Sequence, residues 1–226
     1  MKKKYLWFTG GISVLLIVAA ALLLFPVMGA KNANDKVYVA AEDAGRIDVI
    51  SPKSRSVIAK IDLANKEDAD GTMYMAHNVQ VAPDGKSVWV TANAMANHTA
   101  SLKTRILNNL FPTAYADEGH DEASTSSDQV VVIDPLTDKI TRRIDIGSDL
   151  HLAHVVLTPD SRFALVSSQN KGDVYKIDTE TFKVVATAKA KTNAQPHGLR
   201  ISPDGKYAYV ALMGDKSIGK LSLSTL

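Results

Sequence analysis

From about Lys36 to Leu226 the chain is a succession of short runs in which apolar and polar residues alternate. Alternation with period two marks β-strands with one face buried. The runs are separated by turns of fixed chemistry. In "LRISPDGKYAYV" (199–210) the turn is Ser202-Pro203-Asp204-Gly205. Proline presets φ at the second turn position, Asp suits the third, and Gly accepts the left-handed conformation that closes the turn. Nearly the same sentence occurs three times without gaps: "HNVQVAPDGKSVWVTA" from His77, "AHVVLTPDSRFALVSS" from Ala153 and "HGLRISPDGKYAYVAL" from His197. A second motif follows each, as in "QVVVIDPLTDKITRRIDI" (129–146), "DVYKIDTETFKVVATAKA" (173–190) and "RIDVISPKSRSVIAKIDL" (46–63). Each again reads strand, turn, strand, with turns centred on Asp134, Asp178 and Ser51.

The repeating unit is therefore four antiparallel strands in a meander. Leu165 and Tyr209 occupy equivalent positions 44 residues apart, the spacing of one four-stranded propeller blade. Between Trp89 and Leu165 the interval is 76, so that blade carries an insertion, residues 93–128. The sequence predicts an all-β fold, a β-propeller with blade segments 36–63, 76–147, 152–190 and 196–226. The first segment lacks its innermost strand and the last its outermost, about three and a half blades in all. Propellers close with about 4–8 blades. Residues 31–226 are thus expected to form a partial propeller, truncated from a longer ring. The alternative is a dimer of two arcs, whose ends overlap rather than complement each other.

The repeats resemble the YVTN-type β-propeller family. Its pattern of an aliphatic strand, Ser-Pro-Asp-Gly-Lys, Val-Tyr-Val and then Val-Ile-Asp-x-x-Thr-x-Lys-Val is matched closely by "QPHGLRISPDGKYAYVA" and "VYKIDTETFKVV". The resemblance covers roughly residues 35–226 apart from the insertion. It implies the propeller fold, and a role as a cell-surface protein, an oxidoreductase subunit, a haem carrier or a partner-binding scaffold. Fold alone does not choose among these.

Charge and composition narrow the classes. The formal net charge is +2, but the only basic residues before Lys31 are Lys2, Lys3 and Lys4, and without them acidic residues outnumber basic ones by one. No basic face is expected, and no nucleic-acid partner. There are no cysteines, which excludes disulfides, thiolate metal sites and cysteine nucleophiles. The three lysines precede an uncharged stretch from Tyr5 to Ala30. Residues 1–30 read as a signal anchor or a signal peptide, with residues 5–28 long enough to span a membrane as a hydrophobic helix. Either way the repeats are delivered across the membrane, to the periplasm or cell surface.

Candidate chemistry is sparse. His77, His151, His154 and His197 lie just before innermost strands, which ring the mouth of a propeller's central channel. They are the candidate metal ligands, with copper, iron or haem as possible occupants. The competing expectation is that they simply hydrogen-bond at the channel mouth. His154 is offset by one position from His77 and His197. Strict alternation sends it to the opposite sheet face, where it meets His77 or His197 but not readily both. In the insertion, "DEGHDE" (117–122) offers oxygen ligands and one His, "SLKTRILNNLF" (101–111) forms one apolar helical stripe, and "NHT" (97–99) fits a glycosylation sequon. No nucleophile elbow, phosphate loop or dinucleotide fingerprint occurs. A lactonase-like metal hydrolysis lacks the acidic channel residues it needs. The chain reads as a tethered or secreted binding or scaffold module rather than an enzyme, holding a protein partner or small ligand at the propeller face. A metal- or haem-binding redox propeller is the alternative.

Overall fold

A computed structural model describes residues 35–64, 72–95, 126–191 and 193–226. The apolar N-terminal stretch, the helical stripe 101–111, the acidic cluster 117–122 and the sequon 97–99 lie outside the described residues. Among the described residues no helix is long and apolar enough to cross a membrane.

Fourteen strands form four antiparallel meanders among these residues. The first sheet holds β1 (Val37–Ala41), β2 (Arg46–Ser51) and β3 (Ser56–Asp62). The second holds β4 (Tyr74–Val81), β5 (Val88–Ala94), β6 (Ser127–Asp134) and β7 (Lys139–Ser148). The third holds β8 (Leu152–Leu157), β9 (Phe163–Ser168), β10 (Asp173–Asp178) and β11 (Lys183–Lys189), and the fourth β12 (Pro196–Ile201), β13 (Tyr207–Leu212) and β14 (Ser217–Ser222). This is the arrangement that the repeat predicts: three strands, four, four and three.

The turn chemistry acts as expected. Gly85 and Gly205 sit at φ of 70° and 67°, and Ser161 takes the same left-handed conformation at 58° in the third sheet. Its hydroxyl accepts the Asp84 N–H from the neighbouring turn. In the second hairpin of each repeat, Asp134 accepts from the Leu136 N–H and the Thr137 hydroxyl, and Asp178 from the Glu180 and Thr181 N–H groups. These bonds hold both carboxyls below the usual carboxylate range. Their recurrence is structural.

The core lies between sheets. One apolar cluster joins the first and second sheets through Ile47, Val49, Tyr74, Val88 and Val131. A second joins the second and third through Trp89, Val132, Leu152, Val155 and Val166. A third joins the third and fourth through Val156, Leu165, Leu199, Ala208 and Val210. Each sheet thus has two packing faces, one turned to the preceding sheet and one to the following sheet. The first strands β4, β8 and β12 lie side by side from sheet to sheet. They form the common inner edge on which the candidate histidines sit.

Candidate functional site

The starts of the inner strands are not regular. Between Ala76 and Asn78 in β4, Leu152 and Val155 in β8, and Pro196 and Leu199 in β12, the pairing with the next strand shifts by one residue. These are β-bulges, in which two residues oppose one and a side chain is re-aimed. A bulge also removes a backbone N–H from the ladder, and a buried N–H needs another partner. Two blades supply one in the same way. The Thr91 hydroxyl accepts the Asn78 N–H at 2.9 Å and donates to the Ala153 carbonyl of the next blade at 3.1 Å. The Ser167 hydroxyl accepts the His154 N–H at 3.0 Å and donates to the His197 carbonyl of the next blade at 2.7 Å. Each hydroxyl closes its own bulge and latches the following inner strand. The equivalent residue in β13 is Ala211, which has no hydroxyl.

Two further residues fix the entry to the third blade. Asn93 accepts the Leu152 N–H and donates to the Leu152 carbonyl, at 2.7 and 3.1 Å. Asp128 accepts backbone N–H groups from Ala94, Leu150 and His151 at 2.7, 2.8 and 3.0 Å. Burial raises the proton affinity of the Asp128 carboxyl, while the three N–H groups pull the other way. His151 itself is left-handed, at φ 47°. A non-glycine residue there needs outside support, and the Asp128 bond provides it.

The result is a row of imidazoles. His151 and His77 have ring centroids 5.5 Å apart, His77 and His197 5.4 Å, and His197 and His154 5.3 Å. The first two contacts are edge-on and the third is tilted. Three consecutive blades therefore contribute to one contiguous surface. The first sheet adds a carboxylate: Glu42, in the short 3-10 turn Glu42–Ala44 after β1, lies 2.7 Å from the His77 Nδ1. At the other end His154 is half-buried, with an Nδ1 that finds no hydrogen-bond partner. Desolvation, reinforced by His197, Arg200 and His77, lowers its pKa to about 4. His154 is therefore neutral at physiological pH.

All four predicted histidines thus come together. The expectation from strict alternation needs correction. Ala153 and His154 both lie in the bulge opposite Ser167, so the one-residue offset does not exile His154 from the row. It meets His197 directly, and His197 meets His77 in turn. Sequence reasoning missed Glu42, Asp128, Asn93 and the two latch hydroxyls. The latches had a signal, a Thr or Ser at one repeat position. Glu42 and Asp128 had none, because each acts across a junction between sheets. Among the described residues no group of three His, Asp or Glu side chains is placed so as to hold one metal ion.

No known protein family's pattern matches the chain, and no curated protein is significantly similar to it. Solved structures are similar in fold. Hydrazine synthase from Kuenenia stuttgartiensis matches over 83% of this chain and 49% of its own, with a TM-score of 0.59 at 20% identity. The fold is that of a β-propeller. A putative 6-phosphogluconolactonase from Bacteroides uniformis matches over 85% of this chain and 51% of its own, with a TM-score of 0.57 at 18% identity. One from Bacteroides fragilis matches over 84% and 51%, at 0.55 and 16%. The propeller described here thus spans about half the length of each of these structures. At such identities the likeness carries the fold and not the chemistry.

Proposed function

We infer that the chain is an extracytoplasmic propeller of the YVTN type that serves as a binding or scaffold module, forming an arc of a larger ring and using the inner edge of the blades as its contact face. The observation that carries this reading is the four-histidine row, assembled from three blades and braced from beneath by bonds that leave the rings themselves at the surface of the arc. The basic leader and long uncharged stretch ahead of the repeats support delivery across a membrane, with the propeller tethered or secreted. The repeat motifs support the YVTN assignment. Propeller mouths are common places for ligands.

A second reading has its own support. The carboxylate–imidazole contact between Glu42 and His77 is the arrangement that orients metal-bound histidines in many proteins. It favours a row that takes copper, iron or haem after small rotations of the rings. Titration of the full chain in mild detergent with Cu(II), Fe(II) and haem separates the two. The scaffold reading expects no stoichiometric uptake and no difference between the native chain and the double variant His77→Ala, His197→Ala. Uptake of about one ion or haem per chain, lost in that variant, overturns it in favour of the metal site.

A further inference from the structure

The repeat allows residues to be compared at the same position in successive sheets, and two of the sheet faces stand out. On the face turned to the following blade, Trp89 and Leu165 are 1% and 0% exposed, because the next sheet covers them. Tyr209 occupies their position in the fourth sheet and is 42% exposed. On the face turned to the preceding blade, Val88, Ala164 and Ala208 are fully buried, as are Val90 and Val166, with Val210 at 1%. Their counterparts in the first sheet, Val37 and Val39, are 47% and 39% exposed. The described arc therefore ends in two uncovered packing faces of opposite kind.

The uncovered face of the fourth sheet also repeats a specific grip. In the third sheet Lys176 lies over the Phe163 ring at 4.4 Å and donates to the carbonyls of Leu223 and Leu226 in the next sheet, at 3.1 and 2.8 Å. Lys220 and Tyr207 are the equivalent pair one repeat later, with the ammonium 3.8 Å from the ring centroid. The positions equivalent to Leu223 and Leu226 in the first sheet are Pro52 and Arg55.

We propose that a second copy of this chain covers these faces, the fourth sheet of each copy packing on the first sheet of the other. The chemistry is that of the junctions already present inside the arc. Tyr209 enters between Val37 and Val39 of the second copy, and Lys220 reaches its Pro52 and Arg55 carbonyls. The two three-stranded sheets at each junction stack face to face and do not merge, so their overlapping ends do not compete for one place. A head-to-tail contact makes a ring only if the rotation closes. Two copies related by a two-fold axis give eight blades, within the range of propellers. The proposal does not depend on what the histidine row binds.

The test is sedimentation of the full chain in mild detergent, over roughly the micromolar range expected for such an interface. A closed dimer is expected. Tyr209→Glu and Val39→Lys, both on exposed positions, should each give monomers with an unchanged far-ultraviolet circular dichroism spectrum. Mixing the two variants should restore dimers, because one junction of the mixed pair is then native. A native chain that stays monomeric, or an open polymer that grows with concentration, overturns the proposal. So does a dimer indifferent to both substitutions, or a mixture that stays monomeric.

Discussion

Replacing Asp128 with alanine is expected to lower the unfolding free energy by about 3–5 kcal/mol, the range for breaking a buried charged network. One carboxylate satisfies three backbone N–H groups, two of them in the segment that leads into the third blade. Hydrogen bonds to a charged group contribute about 1.5–3 kcal/mol each, and a buried donor left unsatisfied costs a comparable amount. The three effects are not additive, since the freed segment can turn toward water. Asp128→Asn is expected to cost about half as much, because only one of its two terminal atoms accepts a hydrogen bond. Chemical denaturation of the full chain in mild detergent provides the check. A loss below about 1 kcal/mol for the alanine variant would mean that the entry segment is held by something else. The left-handed conformation of His151 leads to a second expectation: that histidine should become the most mobile of the row.

Trp89→Ala should cost about 3–5 kcal/mol, the usual range for removing a fully buried aromatic ring. The indole is the largest fully buried side chain. It stacks on Phe182 of the third sheet with ring centroids 6.2 Å apart, and its Nε1 donates to the Ser87 hydroxyl at 2.9 Å. The ring therefore fills the junction between the second and third sheets, with Val155, Leu157 and Val166 in the same cluster. That junction also sets the distance between His77 and His151. Trp89→Phe keeps most of the apolar surface and should cost about half as much. Equal losses for both variants, in the same denaturation experiment, would show that the hydrogen bond to Ser87 matters more than the packing.

Much of this architecture is legible in the chain itself. The Pro-Asp-Gly turns, the alternation on either side of them and the spacing of the repeats locate the strands, because each is a local consequence of backbone sterics and one-sided burial. The four histidines are also legible, since all lie just ahead of an inner strand. Their mutual arrangement is not. A bulge adds one residue to a strand without changing its composition, and it overrides the alternation from which the orientation of His154 was expected. Glu42 and Asp128 were hidden for another reason. Their partners are 35 and up to 34 residues away in sequence, and no periodicity links them. The hydroxyl pair Thr91 and Ser167 stands between these cases. Its recurrence is visible, but its purpose appears only when the unpaired N–H of the bulge is located.

The protonation of His154 ties the row to pH. Its folded-state pKa of about 4 lies below the ordinary value of 6.5. The unfolded chain therefore takes up a proton first as pH falls, and stability contributed by the neutral ring is present above pH 6.5 and lost progressively toward pH 4. Nitrogen-15 NMR of the histidine rings in the full chain, followed from pH 8 to pH 4, tests the row most directly. His154 should stay neutral until about pH 4, and His197→Ala should shift its resonances and move its midpoint up toward 6.5, since His197 contributes to the depression. A His154 that titrates near 6.5 in the native chain and ignores the loss of His197 would contradict a contiguous histidine row.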